Sequence, residues 1–312
     1  MFDARLLSVF REVATRGSFS EAALALSFSQ PAVSQQIARL ERELGTRLLS
    51  RNARGVTLTP AGEVLLRHAE TVLGQLRAAQ AEVQAVAGVE RPRLRVAAFA
   101  SAAASIMPPA LAQLRAVHPA TEVSMRIVEL PDSVEGLRTG ELDLSLVIDS
   151  ELTPLELPAD VEAVHVLDDP MFAALPYSHR LAGRSAVTLA ELGSEEWFLC
   201  GVSGTCPDTN IVLRSCSQAG FEPRVGFSSD DYSAIQGMVA AGMGVALIPS
   251  LALVSARDDI AIRPLRDVSP IRRVRAALAK DRPSALAEAL VEILRVTGRE
   301  RRWAGRQLAA AA

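Results

Sequence analysis

From Pro60 to Gly88 nothing interrupts a helical pattern, and Leu65, Ala69, Val72, Leu76, Ala79, Val83 and Val86 recur at alternating steps of four and three residues. That heptad spacing lays one apolar seam along a single long helix. A small domain of three helices cannot cover such a seam. It calls for a second copy of itself or for a berth on the chain's own C-terminal region, and the first reading makes residues 60–90 a dimerising helix. The chain of 312 residues is thereby divided into a small N-terminal domain, 1–59, and a large C-terminal one.

The N-terminal domain carries its own pattern. Asp3 caps a first helix with a core stripe of Leu6, Leu7, Phe10, Val13 and Ala14, stopped at Gly17. Ser18 with Glu21 has the spacing of a capping box, and Ala22, Ala23 and Leu26 form a small-residue face that lets another helix cross closely. Ser29 is an N-cap with Pro31 in the first turn, and Val33, Ile37, Leu40 and Leu44 make a buried stripe ending at Gly45. Outside that stripe stand Gln30, Ser34, Gln35, Gln36 and Arg39. Gln and Arg pair with adenine and guanine edges in the major groove, and Ser holds a phosphate or a base edge. An ordinary solvated face would carry Lys/Glu pairs instead. Arg47, Arg51 and Arg54 follow, with Asn52 and Gly55 making a turn before Val56-Thr57-Leu58. A hairpin that presents cations to phosphate or the minor groove is a wing. The reading is a winged helix-turn-helix, with Ser29, Gln30, Pro31, Ser34, Gln35, Gln36, Arg39, Arg51 and Arg54 as the DNA-binding set.

Leu7, Phe10, Val13, Ala14, Gly17-Ser18-Phe19-Ser20, Ala22-Ala23, Leu26, Ser29 through Ser34, Ile37, Leu40-Glu41, Leu44-Gly45, Leu48, Arg51 and Thr59-Pro60-Ala61-Gly62 resemble the N-terminal signature of the LysR-type transcriptional regulators. Leu49 stands where that family usually has Phe, and Phe28 where it has a polar residue or Val; both departures stay apolar. The resemblance implies a DNA-binding regulator and not an enzyme. It also implies a dimer through the linker helix, a homotetramer, a dyad-symmetric promoter site, a small-molecule effector and contact with RNA polymerase.

Charge fits this division. The chain carries a net −3, yet residues 1–60 hold eight Arg and five acids, a net +3, which leaves −6 for the rest. A basic head on an acidic body suits a nucleic-acid module with a sensor. No apolar run approaches the roughly 18 residues that cross a bilayer. The N-terminus opens in an amphipathic helix, and three Cys without an export signal fit a reducing cytoplasm.

Beyond Arg91-Pro92-Arg93, short apolar strands alternate with amphipathic helices. Strands are expected near 94–99, 123–128, 142–148, 163–167, 171–175, 197–200, 224–227, 244–248 and 273–279. Helices are expected near 102–117, 133–139, 207–219, 231–241 and 284–297. Alternation of this kind argues a mostly parallel sheet with helices on both faces. Pro176 with His179-Arg180-Leu181, Gly140 through Leu144, and Gly242 through Val245 with Pro249 look like landmarks of the LysR co-inducer domain. The resemblance implies two α/β subdomains of the periplasmic-binding-protein type (type 2) over 91–298. One is then 92–162 with 268–297 and the other 163–267, crossing near 161–167 and 262–268, followed by a basic, Ala-rich tail, 299–312.

Ligands of such sheets bind beyond the carboxyl ends of strands, where helix N-termini offer free N–H groups. Three loops qualify, 99–102, 201–205 and 227–230, and they nominate Ser101, Ala102, Ser203, Thr205, Phe227 and Ser228 as effector contacts, with Glu129 and Leu130 at the rim. No Arg sits in these loops. A small carboxylate effector, the expectation here, is then held by hydroxyls and amides, although the same hydroxyls also suit plain helix caps. Cys200, Cys206 and Cys216 are read as buried structural thiols. Some members of the resembled family sense peroxide through a cysteine pair in this region, but the spacing does not establish one. His68, His118, His165 and His179 share no ligand spacing with them, so neither metal nor cofactor is expected. Asp168-Asp169, Asp230-Asp231 and Asp258-Asp259 read as turn and cap residues. Two rivals predict differently. A metabolite-binding protein whose head serves only assembly tolerates loss of Arg51 and Arg54, and an enzyme needs paired carboxylates across the cleft and turnover.

Overall fold

The computed structural model describes residues 3–52, 55–86, 91–201, 206–267, 270–282 and 284–310. Chain contacts divide it into two units, residues 1–92 with 135–142 and residues 93–134 with 143–312.

In the first unit, Asp3 accepts from the Arg5 N–H at 2.9 Å and starts α1 (Ala4–Arg16), which Gly17 ends in the left-handed region at φ 61°. Ser18 and Ser29 cap α2 (Phe19–Ala25) and α3 (Gln30–Leu44), accepting from the N–H groups of Glu21 at 3.3 Å and Ala32 at 3.4 Å. Leu6, Val9, Phe10 and Val13 close over Phe19, Ala22, Ala23, Val33, Ile37 and Leu40 in one buried cluster. Val9 belongs to this core, whereas Ala14 is only half-buried.

Strands β1 (Leu49–Asn52) and β2 (Gly55–Leu58) form an antiparallel hairpin pinned from two sides. The Glu41 carboxylate accepts from the N–H groups of Leu48 at 2.8 Å and Leu49 at 3.2 Å, and the Val56 N–H donates to the Gly17 carbonyl at 2.9 Å. The wing is thus held by α3 and by the end of α1. Helix α4 (Pro60–Val86) starts from Thr59, whose hydroxyl accepts from the Gly62 N–H at 3.1 Å. A Cβ on residue 62 would stand 2.1 Å from the Leu48 carbonyl oxygen, so only Gly fits there. Along α4 the seam begins covered and then emerges. Leu65 packs against the three-helix core and Ala69 is buried, but Val72, Leu76 and Val83 are 40%, 50% and 68% exposed and Ala79 is exposed.

In the second unit, β3 (Arg93–Ala98) pairs in parallel with β4 (Glu122–Ile127) and β5 (Leu144–Asp149). Helices α5 (Ala100–Ser105) and α6 (Met107–Val117) connect β3 to β4, and α7 (Asp132–Thr139), whose residues 135–139 fall in the first unit, precedes β5. The expected 102–117 helix breaks in two because Pro108 and Pro109 cannot donate the hydrogen bonds that would continue it. Strand β6 (Val161–Pro176) is one element, where two strands were expected around an Asp168-Asp169-Pro170 turn. Pro170 is tolerated because the strand changes partners there. Residues Val161–Pro170 pair with β11 (Ile271–Ala279), and from Met171 the strand pairs with β9 (Val245–Pro249) and β10 (Ile260–Arg263). The crossing therefore lies at Pro170–Met171, beyond the 161–167 segment expected for it.

On the far side, β7 (Glu196–Cys200) pairs in parallel with β8 (Arg224–Ser229) and β9, with α8 (Pro207–Gln218) and α9 (Tyr232–Ala240) between them. The sheet runs β4-β3-β5-β11-β6-β9-β7-β8, with β10 beside β6. Helix α10 (Ala285–Ala310) continues through what was expected to be a separate tail, since Ala, Arg, Gln and Leu all favour helix. Among the described residues no helix is long and apolar enough to cross a membrane.

Candidate functional site

Two surfaces carry the sequence-nominated residues. On the first unit, α3 presents Ser29, Gln30, Pro31, Gln35 and Arg39 exposed, with Ser34 and Gln36 half-buried beside them. Burial of Val33, Ile37 and Leu40 fixes which face this is. Arg39 donates to Glu43 at 2.9 Å, an exposed i,i+4 pair worth only about 0.3–0.5 kcal/mol and readily exchanged for a phosphate. Arg51 stands opposite Val56 in the hairpin. The Arg51 side chain and the whole of Arg54 lie outside the described residues.

The second surface is a cleft of about 500 Å³, open mouth included, within the second unit. Phe99, Ala100, Ser101, Val128, Glu129, Leu130 and Ser133 form one wall with Leu146 to Ile148. Cys200, Cys206, Pro207, Asp208, Asp230 and Tyr232 form the other. Of the nominated contacts, Ser101, Glu129 and Leu130 line it. Ala102 is fully buried in the core, Phe227 packs edge-on to Phe198 with centroids 6.0 Å apart, and Ser228 is exposed on β8. Ala102 faces the core from helix α5, and Phe227 and Ser228 are not among the residues that line the cleft. Ser203 and Thr205 lie outside the described residues.

What the loops lacked, β11 supplies. Arg272 is 1% exposed and lines the cleft. Its Nε and Nη2 donate to Asp169 Oδ2 at 3.0 and 2.5 Å, Nη2 also to Ser101 Oγ at 2.9 Å, and Nη1 to Asp208 Oδ2 at 2.8 Å. The guanidinium lies 5.1 Å from the Phe99 ring centre. Asp169 is completely buried and also accepts from Ser250 Oγ at 2.6 Å and the Leu251 N–H at 3.0 Å, so it is no turn residue. Asp231, by contrast, does cap a helix, accepting from the Ser233 N–H at 2.7 Å. Tyr232 donates to Asp208 Oδ2 at 2.7 Å. Burial works against the Arg272 charge, but Asp208 and Asp169 outweigh it and raise its pKa above the ordinary value. Burial, reinforced by Asp208, holds the Tyr232 phenol protonated. One guanidinium thus ties α5, β6, α8 and β11 together, and its charge is already matched.

The remaining charge of the cleft is negative. Glu129, Asp208 and Asp230 line it, and burial followed by repulsion from Asp208 and Asp230 raises the Glu129 pKa. This wall is unfavourable to a carboxylate effector: a further anion would meet Glu129, Asp208 and Asp230 and a cation already engaged by Asp169 and Asp208. Two buried polar atoms on the cleft wall, Ser133 Oγ and Asp208 Oδ1, have no hydrogen-bond partner among the described residues, each a cost that a ligand would remove.

The cysteines separate into two kinds. Cys216 is fully buried, and burial alone pushes its thiol up to about 12. Cys200 and Cys206 come together at the cleft, which their sequence spacing did not establish. A hydrogen bond from the Cys200 thiol holds Cys206 below the usual thiol range, helped by the backbone N–H groups of Thr209 and Asp208 at the start of α8. The same bond, with burial, raises Cys200. Gly201, at φ 116°, makes the approach feasible: a Cβ there would stand 2.3 Å from the Cys206 Cβ.

Carboxylates do line the cleft, so the criterion set for an enzyme does not by itself separate the readings. Comparison with known proteins does. Residues 4–63 match the family model described as a bacterial regulatory helix-turn-helix protein, lysR family, and residues 87–298 match the LysR substrate binding domain. The transcriptional dual regulator GltC of Bacillus subtilis is 31% identical over 248 residues, 79% of this chain and 80% of its own. The HTH-type transcriptional regulator AlsR of the same organism is 28% identical over 294 residues, 93% of this chain and 95% of its own. Among solved structures, a full-length OxyR from Pseudomonas aeruginosa with one cysteine replaced by aspartate aligns with a TM-score of 0.69 at 25% identity, covering 96% of this chain and 95% of that one.

Proposed function

The chain belongs to the LysR family of bacterial transcriptional regulators, and from that premise we propose how this member is built to work. It is a DNA-binding regulator with an effector-binding domain, and not an enzyme. It acts in the cytoplasm, where the chromosome is. Helix α3 reads base edges through Gln30, Gln35 and Gln36, and the wing with Arg51 and Arg54 grips phosphate or the minor groove. The α4 seam pairs two copies, so that two heads meet a dyad-symmetric site. Assembly into a tetramer and contact with RNA polymerase follow the same premise.

The observation that carries the dimer is the seam itself: Val72, Leu76 and Val83 are exposed at heptad spacing on one helix. For the effector, the cleft supports a ligand bearing positive charge or several hydrogen-bond donors, in place of the carboxylate first expected. Such a ligand would satisfy Asp208 Oδ1 and Ser133 Oγ and relieve the crowding of Glu129, Asp208 and Asp230.

Footprinting the purified protein on the intergenic DNA upstream of its own gene, at fixed salt and with excess competitor, tests the regulator. A protected dyad is expected. Arg51→Ala with Arg54→Ala is expected to weaken binding on every sequence and to flatten the salt dependence by about 2 in log–log slope. Unchanged binding in that variant would favour a head that serves only assembly.

A further inference from the structure

The acidic side of the cleft holds a donor set that the regulator reading does not use. Cys200 Sγ, Cys206 Sγ and a carboxylate oxygen of Asp208 all lie within 4.8 Å of one another. Asp208 Oδ2 is engaged by Arg272 at 2.8 Å and by Tyr232 at 2.7 Å. Its other oxygen, Oδ1, is buried and has no hydrogen-bond partner among the described residues.

We propose that the effector of this regulator is a thiophilic divalent metal ion of the Zn²⁺ type, ligated by Cys200, Cys206 and Asp208. Two thiolates and a carboxylate are three ligands of a tetrahedral site that keeps one position open, here toward the cleft mouth. The outer contacts are those a metal carboxylate needs, with Tyr232 and Arg272 on Oδ2 leaving Oδ1 to the ion. Two thiolates match a divalent ion, and Arg272 offsets one of the two negative charges of Asp208 and Asp169. Binding releases the two thiol protons to solvent and involves no change of oxidation state. The sulfurs select a soft ion over Mg²⁺ or Ca²⁺, which prefer oxygen. Both cysteines meet only through the fold, since Cys200 ends β7 and Cys206 precedes α8.

This rests on the reading of the cleft as the effector site, and its test separates the two. The full chain, reduced and stripped with a chelator, is titrated with Zn²⁺ against a chromogenic indicator. One ion per chain is expected, with Co²⁺ giving thiolate-to-metal absorption in the near ultraviolet. On the unmutated protein, Zn²⁺ is expected to protect Cys200 and Cys206 from alkylation, while Cys216 reacts only on unfolding and reports an intact fold. Cys206→Ser and Asp208→Asn are expected to abolish tight binding, and Tyr232→Phe to weaken it about 10- to 100-fold. Absent Zn²⁺ binding by protein whose thiols are free, or equal binding by C200S/C206S, would overturn the site. The DNA footprint is then compared with and without Zn²⁺. A changed affinity or protected length supports the effector role, and zinc binding that leaves the footprint unaltered overturns it. A footprint absent in both conditions, with zinc binding intact, counts against the regulator reading instead.

Discussion

The face of α3 proposed to read DNA and the floor of the cleft solve opposite problems. On α3 the working side chains are exposed, and the residues that position them, Val33, Ile37 and Leu40, are buried on the other face. Function and stability therefore sit on different residues of one helix. In the cleft they coincide. Arg272, Asp169 and Asp208 are buried and charged, with both acids bonded to the arginine, so the groups that shape the site also hold α5, β6, α8 and β11 together. Exposed recognition tolerates change without loss of fold, and buried recognition does not.

The sharpest break of that contrast is Arg272→Met. It leaves Asp169 and Asp208 buried without their cation, and the expected cost is about 3–5 kcal/mol in urea denaturation. Adding Asp169→Asn and Asp208→Asn is expected to recover most of it, whereas a single variant as stable as the parent would show the network to be dispensable. Next comes the seam. Leu76→Glu with Val83→Glu removes two side chains that each stand to gain about 1.5–3 kcal/mol on burial, and sedimentation is expected to show the dimer lost while thermal unfolding of the head is unchanged. A variant that stays dimeric would place the interface elsewhere.

On α3, Gln35→Ala is expected to cost about 1–3 kcal/mol of discrimination at the cognate site with no change in melting temperature. A fall in stability instead would mean that the residue supports the fold. The smallest effect is expected of Glu129→Gln. Burial raises the folded-state pKa of Glu129, so its contribution to stability is complete below the unfolded value of about 4.3 and is lost as pH rises through the folded one. The variant is therefore expected to melt slightly higher than the parent at neutral pH and equally near pH 4. The opposite trend would mean that the ionised Glu129 has a partner.

Much of the head was legible because its rules are local. Ser18, Ser29, Gly17 and Gly45 act within a turn of their own positions, and the heptad spacing of α4 needs no tertiary context to be read. The alternating pattern of the larger region likewise announced its strands and helices. Its β6 was expected as two strands because Asp168-Asp169 reads as a turn until the change of partner at Pro170–Met171 is seen.

The amino-acid order announced the winged head, the α4 seam and the α/β alternation through short-range periodicity and capping, and its resemblance to the LysR regulators implied the family and the two-subdomain arrangement. Only the tertiary structure decided the cleft. Arg272 and Ser101 are 171 positions apart in the chain, and Arg272 and Asp169 are 103 apart. No local pattern encodes that meeting. It exists because the antiparallel pairing of β6 with β11 carries Arg272 beside Asp169, and the fold brings Asp208 and Ser101 to the same guanidinium.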